Sequence, residues 1–413
     1  MPQKGRMAAA LFDPARHQPL AASPWDPAAA RAAIDRIVAD ARLAFTPDGL
    51  WPIHPDDAED DEPGPHAQLY FGAAGVVWAL DHLVREGAAD PGPTFAEHLP
   101  DILARNRQTL ETEAWRTLMG EGWQTRSWLL GDAGILFTSW KTGVEPRLDD
   151  LAATIAGNTD DPSRELMWGA PGTMLAALAL HRATGEARWA ALYRAGARAL
   201  AASFEADDDL GVHLWTQNLY GQEVRYLGAV HGFAGNAFAL NEGRDLLDPD
   251  EWRVLSARIA RTLEAFAIRG PEGMNFPAVT NPKRPDAPLL VQHCHGAPGM
   301  VTALAGLDAP IDDLLLGAGE LTWVSGPLAK GGNLCHGTAG NAFAFLKLFA
   351  RTADALWLDR ARAFAMHAIA QSEADAARLG RRRYALWTGD VGVACFLWEC
   401  LHARARFPTM DVL

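Results

Sequence analysis

Seven times between Gly72 and Gly392 the chain repeats Gly-x-x-Gly followed by an apolar run. The copies are Gly72–Gly75, Gly131–Gly134, Gly169–Gly172, Gly232–Gly235, Gly296–Gly299, Gly337–Gly340 and Gly389–Gly392. Paired glycines allow a tight turn and close backbone approach. The runs after them, such as VVWALDHLV and VACFLWECL, are apolar on nearly every side, which predicts helices buried all round. Amphipathic helices lie between the copies. One starts at Asp26-Pro27, with Asp as N-cap and Pro in the first turn, and carries Ile34, Ile37, Val38, Ala41 and Phe45 on one face. Another starts at Asp248-Pro249 and presents Trp252, Leu255, Ile259, Leu263 and Phe266; a third runs from Glu186 through Trp189 and Tyr193.

Each unit therefore pairs one exposed-face helix with one buried helix, and strand-like alternation is scarce. This predicts an all-α chain. The spacing between first glycines ranges from 38 residues (131 to 169) to 64 (232 to 296), uneven for an open solenoid. The chemically distinctive residues recur on the glycine turns, so a closed ring would point them all into one mouth. The expectation is an α/α toroid over 26–413 as one domain, with 1–25 an irregular N-terminal segment.

Composition removes several functions. A net charge of -14 opposes a nucleic-acid backbone. No apolar run reaches the ~18 residues a membrane span needs, and Met7–Phe12 is too short for a secretory h-region. Four cysteines without framework spacing fit a reducing cytosol. The acidic run Asp56, Asp57, Glu59, Asp60, Asp61 and Glu62 reads as a solvated loop, because it lacks the alternating ligands and glycine turn of a calcium site. Cys395 and Cys400, inside an apolar run, read as core thiols.

The other two cysteines open matching turns, Cys294-His295-Gly296-Ala297-Pro298-Gly299 and Cys335-His336-Gly337-Thr338-Ala339-Gly340. Thiolate and imidazole are preferred zinc ligands. Two thiolates and one neutral imidazole balance Zn²⁺ and leave a fourth position for a substrate sulfur, whose thiolate would then be nucleophilic. A closed structural site with His293 or His295 as fourth ligand is the competing arrangement. His231, beside the fourth turn, is the candidate proton donor or base. Glu165, four residues before Gly169, is the candidate carboxylate, with capping as its bland alternative. Trp387, Asp390 and Asp132 also fall on the mouth; either aspartate could simply cap a helix.

YLGAVHGFAGNAFAL, VQHCHGAPGM and NLCHGTAGNAFAFLKL resemble the turns of the lanthionine synthetase C (LanC) family, and the likeness runs through all seven copies. It implies seven inner and seven outer helices, one Zn²⁺ on Cys294, Cys335 and His336, and His231 handling a proton in thiol addition to dehydroalanine or dehydrobutyrine. Dedicated lantibiotic cyclases carry Asp, Tyr and Arg where this chain has Glu165, His295 and Leu290. ELMWG and HCHGAPG are closer to the LanC-like subgroup known best from eukaryotes, although His293 stands where that subgroup has Trp. Those proteins add glutathione to dehydroamino acids formed by phosphate elimination. Lys330 and Arg360 match basic positions of that subgroup, where Lys and Arg would give anionic substrates charge-assisted hydrogen bonds; His295 is a further substrate-binding candidate. The implied partners are glutathione or a peptide thiol, a dehydrated peptide or protein, and a separate dehydratase or kinase.

Three rivals make different demands. A protein prenyltransferase β-subunit needs a partner subunit and an Asp ligand. A glycosidase toroid needs two facing carboxylates, for which Glu165 and Asp390 are the obvious pair, and leaves the cysteines unexplained. A non-catalytic toroid binding glutathione or peptide would keep the fold without the chemistry.

Overall fold

A computed structural model describes residues 10–57, 65–119 and 125–413. Glu59, Asp60, Asp61 and Glu62 of the acidic run lie outside the described residues. The helices are α1 (Pro27–Ala44), α2 (Ala73–Arg85), α3 (Leu99–Leu110), α4 (Glu113–Met119), α5 (Asp132–Thr142), α6 (Leu148–Gly157), α7 (Ala170–Thr184) and α8 (Ala187–Ala202). They continue as α9 (Phe233–Glu242), α10 (Pro249–Phe266), α11 (Ala297–Leu304), α12 (Asp312–Ser325), α13 (Thr338–Thr352), α14 (Ala355–Leu379) and α15 (Asp390–His402).

Helices α2, α5, α7, α9, α11, α13 and α15 are the runs after the glycine turns. Each touches the next, and α15 returns to α2, so the ring closes. Helices α1, α3, α6, α8, α10, α12 and α14 alternate with them in sequence and form the outer layer. The Asp26 and Asp248 carboxylates cap α1 and α10 by accepting from the first-turn N–H groups, as the Asp-Pro starts predict. The chain is an α/α toroid. Three short antiparallel hairpins were not foreseen: β1 (Glu205–Asp207) with β2 (Val212–Leu214), β3 (Gln217–Leu219) with β4 (Gln222–Val224), and β5 (Ile268–Gly270) with β6 (Gly273–Asn275). They decorate connections between helices and leave the fold class unchanged. No helix among the described residues is long and apolar enough to cross a membrane.

The glycine turns form a rim joined at six of its seven junctions among the described residues, the fourth and fifth turns being the unbonded pair. Backbone hydrogen bonds run from turn to turn: Tyr70 N to Leu129 O (2.9 Å), Leu129 N to Met167 O (3.2 Å) and Leu166 N to Val230 O (3.1 Å). The series continues through Cys294 N to Cys335 O (3.2 Å), Cys335 N to Trp387 O (2.9 Å) and Trp387 N to Tyr70 O (2.9 Å). The second glycine of every copy has one task. A Cβ there would strike the carbonyl oxygen six residues earlier, at 1.7 Å from Leu334 O for Gly340 and 1.9 Å from His293 O for Gly299. Gly340→Ala should therefore destabilise the protein by about 3 kcal/mol, the upper part of the overpacking range, read as a lowered urea midpoint.

Beyond α15 the chain turns into the lumen. Phe407 and Thr409 are fully buried. The Phe407 ring stacks on His293 (centroids 4.3 Å) and packs against Phe343 and Trp387. Thr409 accepts from the Trp128 indole through its carbonyl and from the Trp387 indole through its hydroxyl, at 3.0 and 2.9 Å. Arg406 anchors the tail's entry by pairing with Glu86 and the buried Glu399. Its hydrogen bonds outweigh burial and hold the Glu86 carboxyl down to about 2. A depressed carboxyl stabilises the fold above the unfolded value of about 4.3 and loses that contribution as pH falls toward the folded value. Glu86→Gln should thus lower the melting temperature at pH 7, and the difference from wild type should shrink by pH 2.

Candidate active site

Adjacent turns before α11 and α13 bring Cys294 and Cys335 together, and their side chains hydrogen-bond to one another. The pair shares its ionisation. The hydrogen bond from Cys335 pulls Cys294 down against burial, helped by His231 and the Gln292 amide. The same bond, with burial, pushes Cys335 up. Gln292 Nε2 lies 2.9 Å from Cys294 Sγ, and Arg16 Nη2 donates to Gln292 Oε1 at 3.0 Å. The Tyr70 hydroxyl bonds Cys335.

His336, next to Cys335, is partly exposed. Burial, together with Lys330, Arg383 and Arg16, lowers its pKa to about 4, which keeps the imidazole neutral. Two touching thiols and a neutral imidazole one residue on form a donor set that zinc takes. The imidazole does not complete a compact cluster: among the described residues no three His, Cys, Asp or Glu side chains group tightly enough to hold a metal. His293, a candidate fourth ligand, is engaged in aromatic packing. Its ring is fully buried on Phe407, and burial and Lys347 push it to about 3.

Glu165 and His231 form a dyad. Glu165 is fully buried at the turn before α7. Its carboxylate accepts from the Met167 and Trp168 backbone N–H groups and from His231 Nδ1 at 2.7 Å. Burial lowers the His231 pKa, but the Glu165 charge and hydrogen bond, with Cys294, outweigh it and raise the value. With Nδ1 committed to Glu165, Nε2 is the nitrogen left to exchange a proton.

His295 lies parallel to His231 at 5.9 Å and beside Tyr226 at 5.8 Å. Burial and His231 push it to about 3. Lys330 is exposed and shares a polar cleft with Arg381, Arg383, Thr388 and Asp390. Arg360 is not brought to the mouth. Helix α14 starts two residues after α13 ends, about 22 Å of helix away from the rim, and Arg360 sits in its second turn. Its guanidinium is taken by Glu320 in two hydrogen bonds, 2.7 and 3.0 Å, between the Trp323 and Trp357 rings. It is a brace between outer helices. Asp390 and Asp132 are structural too: Asp390 binds Ser372 and the Arg383 N–H, and Asp132 pairs with Arg107.

The sequence reading passed over Tyr70, Tyr220, Tyr226, Gln292 and Arg16. Scarcity was the available signal. The chain has five tyrosines, and three of them ring this site. Arg16 gives no signal, since it arrives by tertiary packing alone.

Residues 211–412 match the family described as "Lanthionine synthetase C-like protein". The chain is similar to "Glutathione S-transferase LANCL1" of Danio rerio, 33% identical over 197 residues, 46% of this chain and 47% of that protein. It is also similar to "LanC-like protein GCL1" of Arabidopsis thaliana, 28% identical over 269 residues, 60% of this chain and 58% of that one. These matches span about half the length of the curated relatives. The fold resembles that of "Nisin cyclase", with a TM-score of 0.55 at 14% identity, covering 82% of this chain and 94% of that chain. The repeats, the closed double ring and these matches agree in likening the chain to lanthionine synthetase C-like proteins, with the family match itself lying in residues 211–412.

Proposed function

We propose that this protein is a thioether-forming enzyme that adds a thiol, glutathione or a peptide cysteine, to dehydroalanine or dehydrobutyrine. The observation that carries the reading is the buried Cys294–Cys335 pair set beside the Glu165–His231 dyad. Few arrangements need two thiols, a carboxylate-oriented imidazole and a neutral histidine in one mouth. The name of the Danio rerio relative supports glutathione as the thiol.

The residues divide the work. Cys294, Cys335 and His336 would hold one Zn²⁺, a Lewis acid that keeps a bound sulfur anionic near neutral pH. Glu165 fixes the tautomer and orientation of His231. His231 takes the proton of the entering thiol on Nε2 and returns it to the α-carbon after the sulfur has bonded to the β-carbon. Thiol and alkene thus become a thioether with no net proton change. The buried walls exclude water that would compete with sulfur. Lys330 at the rim serves anionic groups of either substrate. Free, reduced thiols at the centre fit a cytosolic location.

Incubation with a dehydroalanine peptide and glutathione, followed by mass spectrometry, tests the reading. A mass gain of one glutathione, dependent on the enzyme, is expected. No adduct from zinc-loaded protein would favour a binding toroid without catalysis.

A further inference from the structure

Tyr220 and Gly221 form the two-residue tip of the β3–β4 hairpin, with φ of 55° and 67°. Such a turn requires left-handed backbone at both positions, and Asn, Asp or Gly is the usual first residue. A bulky tyrosine is strained there. The tip carries the phenol to the mouth. Its ring stands edge-on to His231 at 6.2 Å. Its oxygen accepts a hydrogen bond from Trp168 Nε1 at 3.3 Å, from the turn that also carries Glu165. The charges that act on it include Glu165 and Cys335, and Tyr70 feels it from the first turn. The hydroxyl therefore lies within electrostatic reach of both the dyad and the thiol pair. Among the described residues none accepts a hydrogen bond from it, so its proton is available. The Tyr70 hydroxyl, by contrast, is engaged with Cys335.

Thioether formation needs such a donor. As sulfur bonds to the β-carbon, the carbon–carbon π pair shifts toward the acceptor's carbonyl, and negative charge builds on that oxygen. His231 cannot serve it, because its proton is destined for the α-carbon. We propose that Tyr220 is a catalytic residue that donates its O–H to this carbonyl oxygen and stabilises the enolate. The inference rests on the thioether-forming reading above. In the balanced step the sulfur–carbon bond forms, the π bond breaks, and the enolate oxygen is held by the Tyr220 O–H. The pair then collapses onto the α-carbon, which takes the proton His231 received from the thiol. Tyr220 keeps its proton throughout. Burial first among the causes pushes the phenol up to about 12, so it stays protonated at neutral pH.

Tyr220→Phe removes the hydroxyl and keeps the ring. Its kcat for glutathione addition to a dehydroalanine amide should fall about 100-fold, the lower end for loss of one oxyanion donor, with KM within about threefold of wild type. The melting temperature should be retained, reporting an intact hairpin. A more electron-poor acceptor, a dehydroalanine ester, should show a smaller deficit because its enolate needs less help; a purely structural role would reduce both acceptors equally. Unchanged kcat, a loss confined to KM, or equal deficits on amide and ester would overturn the assignment while leaving the enzyme reading intact. A wild-type protein that forms no adduct would bring down that reading, and Tyr220's role with it.

Discussion

Cys335→Ala should lose its zinc and its activity together. Elemental analysis of the wild-type protein is expected to give one zinc per chain; the variant should give essentially none, and thioether formation should drop by about a thousandfold or more, several kcal/mol of barrier. The expectation follows from the pairing of the sulfurs. With Cys335 gone, Cys294 loses the hydrogen bond that is the largest influence on its ionisation, and the donor set falls to one thiol and one imidazole. Cys395→Ala is the control. That thiol is buried in α15 and burial pushes it up, so the change should cost stability and leave zinc in place. Zinc retained by Cys335→Ala, or absent from wild type, would remove the metal from the mechanism.

His231→Ala should separate chemistry from metal binding. Zinc content and glutathione affinity should stay near wild type, while turnover falls by about 10²- to 10⁴-fold, the range for loss of a positioned acid–base group. The dyad makes the residue specific. Glu165 accepts from two backbone N–H groups and the imidazole, so His231 is the one side chain among the described residues seen to hydrogen-bond that carboxylate. In deuterated water the wild-type adduct should carry deuterium at the α-carbon with one stereochemistry, and the residual product of the variant should be mixed at that carbon. Unchanged turnover would make His231 a structural turn residue.

The inner ring was legible because its cause is local. Paired glycines followed by all-round apolar runs have few other uses, and the clash of a Cβ with the carbonyl six residues back explains their recurrence. The placement of the cysteines and His231 was legible because they sit on those turns. Arg360 misled because position in sequence does not reveal the helix end: a helix returning from the far side carries its first residues away from the rim. The tyrosines and Arg16 were missed for a related reason. A hairpin tip and an N-terminal crossing reach the site through packing between distant segments, which no periodicity records. Asp390 and Asp132 sit where expected and do something plainer, because a carboxylate at a helix start finds N–H and guanidinium partners first.

The tail that folds back into the lumen, pinned by Thr409 to two indoles, makes the toroid a blind well rather than a tunnel. A polypeptide cannot be threaded through it. On the proposed chemistry, an acceptor held within a chain would dip in as a loop and withdraw the same way, and the two reactants would share a single doorway. The smaller one would then have to be seated before the larger covers the opening, so traffic through the rim, as much as bond formation at its base, would set the order of the proposed reaction.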